Sequence, residues 1–167
     1  MNPMSAVCFL LAAPAIYLLS RQPREGPPAV VMHVLAMLIA GIGALRLADY
    51  VLPPNLGIDE ILFRSRLGDH VMAPNSALAF ILLGATILLS HYQTRRGFHP
   101  SQFFIIVAGC MGALALIGYL FGSTSLYGVA PFKPMSLNSA ISFTLLAIAA
   151  LCANPHRQPM ATLLDDT

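Results

Sequence analysis

The chain has 167 residues, of which 57% are hydrophobic and 10% charged, against roughly 45–50% apolar and about 25% charged in an ordinary soluble domain. Nine basic and seven acidic residues cannot clothe a globule of this size, which excludes a soluble domain, a secreted mini-protein, a coiled coil and a disordered tail. A formal net charge of +2 with no basic stripe excludes a nucleic-acid partner.

Five uncharged apolar stretches approach the ~20 residues that a helix needs to cross a bilayer. They run over 4–20, 29–52, 73–91, 103–121 and 137–153. The expected fold is all-α, a polytopic membrane helix bundle with residues 1–167 as one integral membrane domain. No Lys or Arg precedes the first stretch, while Arg21 and Arg24 follow it, which is the pattern of an uncleaved helix with its N-terminus outside rather than of a signal peptide. Arg21, Arg24, Arg95, Arg96 and Arg157 fall on one side of the spans, and Arg64, Arg66 and Lys133 on the other. That bias places the C-terminus in the cytoplasm of a bacterial inner membrane and the two longer connections outside. Cys8, Cys110 and Cys152 lie far apart in apolar runs with no CxxC spacing, and read as small buried thiols.

The third span repeats in the fifth. MAPNSALAFILLG from Met72 matches MSLNSAISFTLLA from Met135 at an offset of 63, sharing Met, Asn, Ser, Ala, Phe, Leu and Leu. The first span aligns with the third at an offset of 71 through Met1, Pro3, Ser5, Ala6, Phe9 and Leu11. GALRLADYVL from Gly43 lies on GALALIGYLF from Gly112 without a gap. The pattern predicts two parallel helix, loop, helix repeats preceded by one extra helix equivalent to the second half of the unit. Parallel repeats are one layout of membrane transporters, less familiar than inverted ones. Asn75 with Ser76, and Asn138 with Ser139, stand where an N-cap is expected. Small residues at Ala77, Gly84, Ala140 and Ala147 recur every seven positions, as helix contacts in lipid require.

Function is sought where the copies differ. Arg46 faces Ala115 in the alignment and Asp49 faces Gly118, so the first hairpin carries an Arg and an Asp three apart in the outer part of a span. At the centre of a spanning helix each costs about 2.5–3.5 kcal/mol, so these two residues either pair or line a polar cavity. In the first outer loop Ile58, Ile61 and Leu62 alternate with Asp59, Glu60, Arg64 and Arg66, the pattern of a short amphipathic helix. The second loop, with Gly128, Pro131 and Pro134, has Lys133 as its one charge, and both loops read as lids. His33 and His91 end their helices on the cytoplasmic side, which makes a transverse haem pair conceivable, and His70 lies outside near Asp69, where a proton-sensing role is conceivable. There is no HExxH, phosphate cradle or nucleophile elbow, so neither a metal site nor catalysis is expected.

The run GIDEILFRSRLGDHVMAPNSALAFILLG, followed by GYLFGSTSLYGVAPFKPMSLNSAISFTLLA, resembles the N-terminal multi-span region of bacterial membrane signalling proteins, chiefly histidine kinases and diguanylate cyclases. The similarity covers roughly residues 43–153, and its loop words are more specific than its apolar helices. The matching positions are Tyr50, Gly57, Ile58, Asp59, Asn75, Tyr119, Tyr127 and Asn138, although family members often carry His where this chain has Asn138, and Met4 stands where the first span would have Asn. The resemblance implies a sensory input region whose output domain would follow LLDDT in the cytoplasm. The expected pocket is lined by Arg46, Asp49, Tyr50, Asp59, Asn75, Tyr119, Tyr127 and Asn138, with membrane lipids, an output domain or neighbouring membrane subunits as partners and a homodimer as the plausible assembly. Two further readings stand beside it: an accessory subunit of a larger membrane complex, and a haem carrier through His33 and His91.

Overall fold

The computed structural model describes residues 2–23, 25–51, 72–93, 99–122 and 134–153, and within them the chain is all-helical. The helices are α1 (Pro3–Arg21), α2 (Pro27–Val51), α3 (Pro74–Leu88), α4 (Pro100–Leu120) and α5 (Leu137–Cys152). By length and composition α1, α2 and α4 are long and apolar enough to cross a membrane, as expected of a membrane protein. The apolar helices α3 and α5 have only 15 and 16 residues. At ~1.5 Å per residue they rise about 22–24 Å, short of a hydrocarbon core about 30 Å thick. The expected first-loop helix, with Asp59, and the second loop, with Tyr127, lie outside the described residues, as do His70 and the tail after Ala153.

Proline sets several helix starts. Pro3, Pro74 and Pro100 occupy first-turn positions, where a missing N–H costs nothing. Asn2 caps α1 by accepting from the Met4 N–H at 2.7 Å, and Ser136 caps α5 by accepting from the Ser139 N–H at 3.3 Å. This corrects the expected caps. Asn75 and Asn138 sit at the second helical position and Ser76 and Ser139 at the third, because Pro74 and Leu137 already have helical geometry and Ala73 and Ser136 are the boundary residues. Gln22 closes α1 in the left-handed region at φ 48°, its N–H bonding back to the Leu19 carbonyl at 3.1 Å.

The largest contacts are α2 with α3 and α4 with α5; α2 also packs on α1 and α4 on α3, while α1 touches α3 and α5. Helices α1, α3 and α5 thus meet at the centre. Phe9, Phe80 and Phe143 close a triangle there, with ring centroids 4.9, 4.9 and 4.7 Å apart. These are the three phenylalanines that the sequence aligns with one another. Tilted and edge contacts of this kind suit the aromatic quadrupole. The aligned serines Ser5, Ser76 and Ser139 are all buried.

Lipid tails are as apolar as leucine, so helices in a membrane associate through close packing rather than hydrophobic exclusion. The hairpins show such packing at aligned positions. A Cβ on Gly43 would lie 2.7 Å from the Ala77 carbonyl oxygen, and one on Gly112 would lie 2.9 Å from that of Ala140. One turn away, Gly84 packs on Ala40 and Gly109 on Ala147, each leaving only 2.7 Å between a new Cβ and the alanine methyl. The glycine of that second pair sits on α3 in one hairpin and on α4 in the other.

Cys8 is buried, but Cys110 and Cys152 are exposed on the bundle surface, which corrects the expectation of three buried thiols. An apolar run does not distinguish the bundle side of a helix from its outer side when both are apolar.

Candidate functional site

At the C-terminal end of α2 the helical spacing puts Arg46, Asp49 and Tyr50 on neighbouring parts of one face. Arg46 and Asp49 are 7% and 6% exposed, which makes them the only buried charged residues among those described. Their side chains form an ion pair between the Arg46 guanidinium and an Asp49 carboxylate oxygen. The guanidinium also lies 4.7 Å from the centre of the Tyr50 ring and donates to its hydroxyl at 3.4 Å. Tyr50 in turn donates to the Met72 carbonyl at 2.5 Å. A polar chain therefore runs from Asp49 through Arg46 and Tyr50 to the backbone just before α3, and ties the two ends of the first hairpin together. Cation and ring attract through the ring quadrupole, a contact worth more where water is excluded.

The second hairpin keeps the last link and drops the charges. Tyr119, aligned with Tyr50, donates to the Met135 carbonyl at 2.5 Å, and Met135 is aligned with Met72. Ala115 and Gly118 stand in place of Arg46 and Asp49, both buried. Tyr119→Phe removes a single neutral hydrogen bond, so an expected loss of about 0.5–1.5 kcal/mol should be read in denaturant unfolding of the detergent-solubilised protein.

Of the residues expected in one pocket, Arg46, Asp49 and Tyr50 are joined by direct contacts. Asn75 lies half-buried in the first turn of α3, Tyr119 holds the equivalent place in the other hairpin, and Asn138 is exposed on α5. Asp59 and Tyr127 fall outside the described residues.

A second polar cluster sits at the opposite end of the bundle. Thr86, Ser90, Ser101 and Gln102 are buried and, with Leu19, Ile105 and Ala150, line a cavity of about 10 Å³, close to the room one water needs. Sequence reasoning missed it because its members come from the end of α3 and the start of α4, with no spacing that marks them as neighbours. Nearby, the His33 and His91 rings lie 6.5 Å apart at a 29° tilt, with His33 Nδ1 bonded to the Ala29 carbonyl at 2.7 Å. Among the described residues no group of three or more His, Cys, Asp or Glu is placed to hold a metal ion.

Compared with known protein families, curated proteins and solved structures, the chain matches none, so the reading of this site rests on its geometry.

Proposed function

We propose that this chain is a sensory input module of a bacterial inner membrane, with five membrane-spanning helices arranged as two parallel hairpin repeats and one extra N-terminal helix. The short α3 and α5 then cross with their flanking residues. The N-terminus lies outside, and the C-terminal end of α2 opens toward the outer surface. A small polar ligand binds there, against Arg46, Asp49 and Tyr50, and the response passes to a cytoplasmic output domain.

The observation that carries this reading is the buried ion pair of one hairpin set against its uncharged equivalent in the other. Two charges add nothing to a hairpin that its twin completes without them, but they provide a binding group that can exchange an internal partner for an external one. The polar chain gives the exchange a mechanical consequence. A ligand carboxylate competing for Arg46 loosens the link through Tyr50 to the start of α3, and a ligand that favours one arrangement shifts the population between the two.

Thermal unfolding of the purified chain across a panel of carboxylate, phosphate and amine metabolites tests the reading. The expected result is at least one compound that raises the midpoint of the native chain and leaves that of the double variant Arg46→Ala with Asp49→Gly unchanged. A panel that shifts neither protein, or both equally, counts against a pocket at this end.

A further inference from the structure

Helices α2 and α3 run antiparallel in a register that their small residues fix. Gly43 of α2 lies against Ile81 of α3, and Ala40 of α2 against Gly84. Carried about two turns further along each helix, the same register brings His33 on α2 opposite His91, just past the end of α3. The two ring centres are 6.5 Å apart, with planes tilted by 29°.

One of these rings is already set as a ligand. His33 Nδ1 lies 2.7 Å from the Ala29 carbonyl oxygen. A carbonyl only accepts, so Nδ1 carries the proton and the lone pair of the neutral ring is on Nε2. Metal-binding histidines are held in this way, the second ring N–H donating to a carbonyl or carboxylate that fixes tautomer and orientation. Two imidazoles that share one ion, with nitrogen–metal bonds of about 2.0–2.1 Å, have ring centres roughly 5–6 Å apart. His33 is partly buried, whereas His91 is exposed and reaches that spacing by a side-chain rotation. The last carbonyls of α3 add partial negative charge, which favours a cation at its end. On the α2 side an open groove of about 450 Å³, lined in part by Glu25, Ala29, His33 and Met37, gives a hydrated ion access to the pair.

We propose that His33 and His91 together hold one late first-row divalent ion of the zinc or nickel kind, with water in its remaining positions. Imidazole suits such ions, while magnesium and calcium take oxygen ligands. The ion clasps α2 to α3 at the end of the first hairpin opposite to the Arg46–Asp49 pair. A porphyrin is not the occupant, because the Ala40–Gly84 contact two turns away holds the helices too close for a macrocycle to stand between the rings. With two protein ligands, against the four of a closed structural zinc site, the ion exchanges, and the clasp follows its concentration. The inference rests on the α2–α3 register and the His33 hydrogen bond, and on neither the ligand reading nor the repeat.

The test uses the full chain without a histidine tag, in detergent micelles, with Cys110 and Cys152 replaced by serine because both thiols are exposed and bind the same ions. This protein is compared with His33→Gln, His91→Gln and, as a control at the same end of the bundle, His99→Gln. Calorimetric titration with Zn²⁺ is expected to give one ion per chain for the parent and His99→Gln. The affinity should be at least about tenfold weaker in His33→Gln and in His91→Gln, the low end of the loss that even an outer contact of a metal site produces. Zn²⁺ and Ni²⁺ should raise the unfolding midpoints of the parent and His99→Gln only, and Mg²⁺ should raise none. If His33→Gln does not fold, the exposed His91→Gln decides alone. No binding to the parent, an equal shift from Mg²⁺, or undiminished Zn²⁺ affinity in His91→Gln overturns the proposal, the last result meaning an adventitious ion only.

Discussion

Gly109→Ala is expected to destabilise the bundle by about 1–3 kcal/mol, the cost of overpacking a close contact, and Ala147→Gly in the same chain is expected to return most of that loss. The new methyl of Gly109→Ala would sit 2.7 Å from the Ala147 methyl, the one neighbouring atom within 4 Å. Removing that methyl makes the room. The double variant also gives the second hairpin the arrangement already present in the first, where Ala40 on α2 packs on Gly84 of α3. Gly43→Ala should behave differently. Its Cβ would meet the Ala77 carbonyl oxygen at 2.7 Å and the Ile81 N at 3.2 Å, and no side-chain truncation moves a backbone atom. Its loss should therefore resist rescue by Ile81→Ala. Reversible unfolding in mixed detergent micelles reads both series, and a double-mutant cycle isolates the coupling. Equal stabilities for Gly109→Ala with and without Ala147→Gly would remove the basis for treating the two hairpins as equivalents.

The features legible in the sequence were those written in residue type. Hydropathy located the five described helices, and the self-alignment paired Phe9, Phe80 and Phe143, whose rings touch. It also paired Tyr50 with Tyr119, yet it could not show what either hydroxyl bonds, because the acceptors are the Met72 and Met135 backbone carbonyls and every residue has a carbonyl. The spacing of Arg46 and Asp49 left an internal pair and a polar cavity equally open, and the contact between them was decided by packing. Helix faces were the weakest point. In a membrane the outer side of a helix is as apolar as its packed side, so the pattern that marks a buried stripe in water is flattened. Cys110 and Cys152 could not be told from Cys8 for that reason. The cluster of Thr86, Ser90, Ser101 and Gln102 was hidden by a different cause, since it depends on how α3 and α4 meet.

Asp49→Ala is expected to be the most damaging of these single substitutions, at up to about 3–5 kcal/mol, because it leaves the Arg46 guanidinium buried without its carboxylate. Arg46→Ala strands the carboxylate in the same way. The double variant Arg46→Ala with Asp49→Gly should recover most of the stability, since it gives α2 the residues that α4 carries at the aligned positions, Ala115 and Gly118, in a hairpin that keeps its tyrosine link to the next helix. That recovery separates structure from function. If the pair only braces the hairpin, the double variant folds and does everything the native chain does. If the pair is the ligand's binding group, the double variant folds with near-native stability and yet loses the thermal shift given by any compound that stabilises the native chain. Unfolding midpoints for the four proteins, with and without that compound, distinguish the cases, and a double variant no more stable than Asp49→Ala would show that the two hairpins do not share a common scaffold. The charged pair is where sequence asymmetry, burial and geometry coincide, so the same four proteins test both the repeat and the site built upon it.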